Sequence, residues 1–189
     1  MDFKNRQRRR NYDAPGDAHE LTFSCYRRYP FLKARRVRIW LKEALDAARV
    51  DLDFNLWAYV FMPEHLHLIV RPRREEYAIA AIRQAIKEPV GRQAMKYLRT
   101  QRPDWLPRLT RQRGKRQERL FWQSGGGYDR NISEPRTLVS MIEYIHLNPV
   151  RRGLVERAVD WEWSSAAELE GLGTSPVRLD PVSPEWWDT

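Results

Sequence analysis

Cysteine is nearly absent from this chain. Cys25 stands alone among 189 residues, so no intramolecular disulfide and no thiolate metal cluster can form, and any metal site must draw on His, Asp, Glu, Asn or Gln. Long apolar runs are missing too. The longest, Leu56 to Met62, falls far short of the roughly 20 residues a membrane-crossing helix needs, so no membrane span is expected. The N-terminus, MDFKNRQRRR, has neither the apolar segment nor the small-residue cleavage site of a secretory signal, which predicts a cytoplasmic protein. No internal repeat is visible. With 42% hydrophobic and 31% charged residues, the chain reads as globular, neither disordered nor fibrous, and its length suits one main domain.

What is abundant is positive charge, unevenly spread. Residues 1–155 carry 32 Lys/Arg against 17 Asp/Glu, a net +15, whereas residues 156–189 carry 2 against 8, a net −6. A basic body attracts polyanions, and phosphate backbones are the commonest of these. The division suggests a basic N-terminal arm (1–18), a main domain (19–155) and an acidic C-terminal tail (156–189).

Periodicity sets the order of elements. Residues 19–26 suit a first strand. Apolar residues at helical spacing, Val37, Trp40, Leu41, Ala44, Leu45 and Ala48, predict a helix over 33–49. Phe54 to Met62 reads as a strand apolar on both faces, as a central strand would be. The turn Met62-Pro63-Glu64 leads into the strand His65 to Val70. Residues 77–100 are helical in composition, with Pro89 expected to divide them. The run 101–119, rich in Lys and Arg, reads as a basic loop. A short strand, Leu120 to Gln123, precedes the joint Gly125 to Gly127, and a last helix runs from about Pro135 to Leu147, stopped by Asn148-Pro149. This order predicts an α+β, ferredoxin-like split βαβ fold with a central antiparallel sheet and helices packed on one face, followed by the C-terminal tail.

Two segments carry chemistry. Strand alternation sends His65 and His67 to one face, with α-carbons roughly 6.6 to 6.8 Å apart, a span over which two imidazoles can converge on one ion. Alone, His-Leu-His also fits two satisfied polar residues. On the last helix, Leu138, Met141, Ile142 and Ile145 form a buried stripe. At about 100° per residue, Tyr144 and Asn148 share one flank of it and His146 lies on the far flank. Glu64 alternates away from His65 and ranks below Asn148 as a ligand. Tyr128 is a rival nucleophile, with a structural role favoured. Arg71, Arg73 and Arg74 follow the histidine strand. These, the loop cations Arg111, Arg113, Lys115 and Arg116, and Arg151 and Arg152 after Asn148-Pro149 are candidate phosphate contacts. Trp122, Trp161 and Trp163 could stack bases, with core packing the favoured role.

The segments MPEHLHLIV and YIHLNPVRRGLV, with FWQSGGGYDRNI before the second and DWEWSS after it, resemble the REP-associated tyrosine transposases, of the His-hydrophobic-His endonuclease class. The resemblance covers roughly residues 20–167. It implies a ferredoxin-like fold, a divalent cation (Mg²⁺ or Mn²⁺) on His65 and His67, and Tyr144 as the nucleophile on DNA. Related insertion-sequence enzymes use a Gln four residues after the tyrosine as third ligand; this chain has the shorter Asn148 there. The implied partner is single-stranded or hairpin DNA, such as REP-like palindromes. A monomer is favoured, with a homodimer exchanging the tyrosine helix as the alternative. The expected reaction is cutting and rejoining through a 5′-phosphotyrosine. Two rivals use the same residues: a binding protein that no longer cuts, and a metal-dependent nuclease with water as nucleophile.

Overall fold

The computed structural model describes residues 13–187, so the arm read at Lys4 to Arg10 lies outside the described residues. In chain order come β1 (Ala18–Ser24), α1 (Arg35–Leu52), β2 (Phe54–Phe61), β3 (His65–Pro72), α2 (Ile79–Gln101), α3 (Leu106–Leu109), β4 (Thr110–Arg113), β5 (Arg116–Arg119), β6 (Tyr128–Ile132), α4 (Pro135–His146), α5 (Asn148–Arg151) and α6 (Ala166–Leu169). Strands β2-β3-β1-β6 form one sheet whose pairings are all antiparallel. With α1 and α2 as its crossovers this is the expected ferredoxin-like arrangement.

The two faces of the sheet are covered differently. Leu21, Phe23, Leu56, Leu66, Leu68 and Val70 point to the face that packs against α1 and α2. The opposite face sets Trp57, Val60 and Ile69 against Leu138, Ile142 and Ile145 of α4. A strict alternation on β3 therefore gives one face wholly to core and leaves the other to share its surface between α4 and polar side chains. Among the described residues no helix is long and apolar enough to cross a membrane.

Four local expectations are corrected. Pro89 does not divide α2, which runs unbroken through it. The buried stripe Ile82, Ile86, Val90, Ala94 and Leu98 continues on both sides of the proline, and that packing outweighs one lost backbone donor. The segment 110–119 is a hairpin, not a loop: Gly114 takes φ 58 at the turn, and Arg111 lies opposite Glu118, their side chains 2.7 Å apart, an opposite-charge cross-strand pair. The fourth strand of the sheet is Tyr128–Ile132, beside β1, while Leu120 to Gln123 contributes only the bridge Cys25–Trp122.

The last correction concerns β2, which lies at the end of the sheet order. It is buried because the chain after residue 160 runs along its free edge. Phe61 N donates to Trp163 O (2.8 Å), Ser165 N to Tyr59 O (3.0 Å) and Asp180 N to Leu56 O (2.9 Å), and Tyr59 N donates to Ser165 Oγ (2.9 Å). Trp163, Val177 and Trp186 are buried with it. The acidic segment thus belongs to the same packed body as the basic domain.

Candidate active site

The pair His65 and His67 occupies the start of β3, on the face turned to α4. Both are buried, and their rings lie 5.0 Å apart, nearly perpendicular. Each has its Nδ1 next to a carboxylate. His65 Nδ1 is 3.2 Å from Glu64 Oε1; His67 Nδ1 is 3.3 Å from Glu20 Oε1 and 2.9 Å from Thr22 Oγ1. A proton on Nδ1 directed at such acceptors leaves Nε2 of each ring as a bare lone pair, the tautomer a cation requires. His67 Nε2 is buried with no hydrogen-bond partner. A buried polar atom left unmatched costs about 1–3 kcal/mol, and a ligand at that point would relieve it.

Glu20 and Glu64 are the functional residues that sequence reasoning missed or ranked low. Glu20 reaches His67 only because β1 and β3 pair with Thr22 opposite His67, which sets Glu20 two residues along on the same face. Glu64 is a buried positioning group, not a ligand candidate: its carboxylate accepts from Arg152 Nη1 at 2.8 Å and faces the His65 ring. Burial alone would raise the Glu64 carboxyl, but Arg152 and the imidazole outweigh it and hold the group below the usual carboxylate range. For His65, burial and the neighbouring His67 ring push the imidazole down to about 4. At neutral pH His65 is therefore unprotonated and free to bind a cation.

Tyr144 projects from α4 toward the pair. Its ring centroid lies 6.5 Å from that of His67, at 89°, and the residue is 45% exposed, so its hydroxyl is open to a substrate. The guanidinium of Arg151 lies 4.8 Å from the Tyr144 ring centroid and donates to the Tyr144 carbonyl (3.2 Å). Asn148 Nδ2 donates to the carbonyls of Tyr144 (3.1 Å) and Ile145 (3.2 Å), capping the end of α4. The amide nitrogen is spent there; its oxygen is the part open to an ion. Among the described residues no three His, Cys, Asp or Glu side chains converge on one point. A divalent ion at the histidine pair would have to complete its shell from an amide oxygen, substrate phosphate or water, ligand types that suit Mg²⁺ or Mn²⁺. The residues present fit such an ion.

The candidate phosphate contacts separate into two groups. Arg151 and Arg152 meet the site directly, through Tyr144 and Glu64. Arg71, Arg73 and Arg74 stand at the far end of β3: Arg71 lies over the Trp57 ring at 5.7 Å, while Arg73 and Arg74 pair with Asp53. Arg111, Arg113, Lys115 and Arg116 belong to the β4–β5 hairpin, where Arg111 and Arg113 share Glu118. Of the tryptophans, Trp122 and Trp163 are buried, and Trp161 donates its indole N–H to Phe61 O (3.0 Å). Tyr128 holds the end of β6 opposite Thr22, on the histidine face of the sheet but separated from β3 by β1.

His146 faces away from Tyr144, as the helix angles require. It is buried, with Nε2 2.8 Å from Ser165 Oγ, tying α4 to the segment on the β2 edge. Burial pushes it down to about 4, below the usual value near 6.5. The unfolded chain therefore binds this proton more readily, so the neutral imidazole's contribution is complete above pH 6.5 and is lost as pH falls through 4. A span of that size corresponds to about 3 kcal/mol. Denaturant unfolding between pH 7 and 4 is expected to show a clear fall in stability, and a flatter pH slope in His146→Asn. Equal slopes in the two proteins would show that His146 does not titrate in this way.

No family model matches the chain. It is 31% identical over 118 residues to a curated Haemophilus influenzae protein assigned to the REP-associated tyrosine transposases, a match that covers 59% of this chain and 58% of that relative's length. To the REP-associated tyrosine transposase of Escherichia coli K12 it is 25% identical over 138 residues, 72% of this chain and 69% of the other. The solved structure of a REP-associated tyrosine transposase bound to a REP hairpin superposes with a TM-score of 0.65 at 19% identity, over 93% of this chain and 99% of that one. That likeness is one of fold.

Proposed function

From a chain related in sequence to the REP-associated tyrosine transposases and sharing their fold, we propose a metal-dependent single-stranded DNA transesterase that cuts and rejoins hairpin-forming DNA. The observation that carries this reading is the approach of Tyr144 to His67, ring to ring at 6.5 Å, beside a buried imidazole nitrogen with no partner. His65, His67 and the Asn148 oxygen would hold Mg²⁺ or Mn²⁺. When bound, the ion supplies polarisation of the scissile phosphate and stabilisation of charge on its oxygens.

The chain's own residues do the rest. Tyr144 Oη forms a bond to phosphorus as the bond to the 3′ oxygen breaks, giving a 5′-phosphotyrosine and a free 3′-hydroxyl. The phenolic proton passes to solvent, and the departing 3′ oxygen takes one up. The number of phosphoester bonds is conserved, so another strand's 3′-hydroxyl can reverse the step. Arg151 holds a positive charge at the Tyr144 ring, near where the phosphate must lie. Glu20 and Glu64 keep the imidazoles oriented, and Arg152, bridging α5 to Glu64, ties the tyrosine helix to the histidine strand. All these groups come from one chain, which supports action as a monomer. The hairpin partner is inferred from the relatives, with REP-like palindromes as the class to try first.

The test is covalent capture. The protein is incubated with a labelled oligonucleotide carrying a hairpin and single-stranded flanks, with Mg²⁺ or Mn²⁺, and a protein–DNA adduct that survives denaturation is sought. Cleavage without an adduct would point to water as nucleophile. Binding without cleavage would point to the non-cutting protein.

A further inference from the structure

One groove in the structure lies on the α2 side of the sheet, across from the histidine pair. It has a volume of about 950 Å³ and runs between α2 and the segment 119–126. Its walls carry Arg83, Lys87, Arg92, Lys96, Arg99 and Arg119, with Glu88 the one carboxylate among its lining residues. Arg92 pairs with Glu88 and Arg83 with Asp129. Among the described residues no carboxylate pairs with Lys87, Lys96, Arg99 or Arg119. Lys87 is instead fixed by carbonyls, Gln123 O at 3.4 Å and Gly125 O at 3.2 Å. Unneutralised cations collected in one concavity call for an anionic partner.

The shape narrows the class of anion. From Arg83 to Arg99 is 16 residues of helix, about 24 Å, so the row is too long for a single phosphate and matches about seven successive nucleotides of one strand at about 3.4 Å each. The aromatic residues of the groove, Phe121 and Trp122, are buried, and the Trp122 indole N–H already donates to Lys87 O at 2.9 Å. No ring is left to stack on an unpaired base, the usual device for holding single strands. The lining of the groove stops at Gly126, one residue short of Gly127, which abuts Thr22 on the strand next to the histidine strand. Gly127 takes φ +78, and a Cβ there would lie 2.2 Å from Thr22 O, while Thr22 Oγ1 touches His67.

We infer that this groove grips the sugar–phosphate backbone of a DNA hairpin stem and aims the foot of the stem past Gly125–Gly127 at the histidine pair. The inference rests on the transesterase reading and adds a docking surface to it. Lys96, Arg99 and Arg119 are exposed, so their joint replacement by Gln leaves the core untouched. Hairpin binding, measured by fluorescence anisotropy in chelator to prevent cleavage, is expected to weaken at least tenfold in this triple variant. The slope of log K against log salt should fall by about 2 to 3, for three lost phosphate contacts. An unpaired oligonucleotide of the flanking sequence should bind the variant and parent alike. An unchanged hairpin slope would overturn the inference, and so would a loss confined to the unpaired strand. A parent protein that binds no DNA would overturn the groove and the transesterase together, whereas a parent that binds and keeps its slope on substitution overturns the groove alone.

Discussion

Tyr144→Phe is expected to abolish the denaturation-resistant DNA adduct, a loss of at least about a thousandfold, while leaving the fold and hairpin affinity nearly intact. The substitution removes one oxygen from a side chain that is 45% exposed, and the remaining ring keeps its contacts with Arg151 and His67. Exposed changes of this kind usually alter stability by no more than about 0.5 kcal/mol. Loss of chemistry with retained binding would therefore be attributable to the nucleophile itself. Denaturing electrophoresis of labelled DNA checks the first part and anisotropy the second. An adduct that persists in the variant would move the nucleophile elsewhere, with Tyr128 the next residue to replace.

His67→Ala should be as damaging by a different route. It removes the buried nitrogen that has no partner and also leaves Glu20, itself only 4% exposed, without the imidazole it faces. Mn²⁺ binding, followed by calorimetry, is expected to fall below detection, and adduct formation with it. Glu20→Gln keeps the shape and a hydrogen-bonding group but removes the charge behind the ring, so its cost should be smaller, about 10- to 100-fold in metal affinity. The order His67→Ala worse than Glu20→Gln is the informative result. Wild-type levels of Mn²⁺-supported adduct in His67→Ala would exclude the histidine pair as the cation site.

Much of the fold could be read from the sequence because its signals are local. Strand alternation put both histidines on one face, and helical angles put Tyr144 and Asn148 on one flank with His146 opposite. What could not be read depends on pairing. Glu20 joins His67 through the β1–β3 register, which no spacing within either strand reveals. Leu120 to Gln123 looked more like a strand than Tyr128 to Ile132 because it is the more apolar, yet its Phe121 and Trp122 are core plugs and the polar YDRNI completes the sheet as an edge. Pro89 misled for a related reason: the rule against proline is local, while the stripe that holds α2 together is tertiary. In the site, the approach of Tyr144 to the histidines required α4 to cross the sheet on the face opposite α1 and α2, and the sequence alone suggested only that they could meet.

The chain running along β2 changes what a shortened version of this protein would be. By composition, residues 156–189 look dispensable, an acidic appendix on a basic enzyme. Removing them would instead strip the cover from Leu56, Tyr59 and Phe61, baring a row of unpaired backbone groups on the most apolar strand of the sheet. Such an edge is a template for other chains. A truncation made to probe charge regulation would then report insolubility, and any apparent gain or loss of activity would have to be judged against how much protein had stayed in solution.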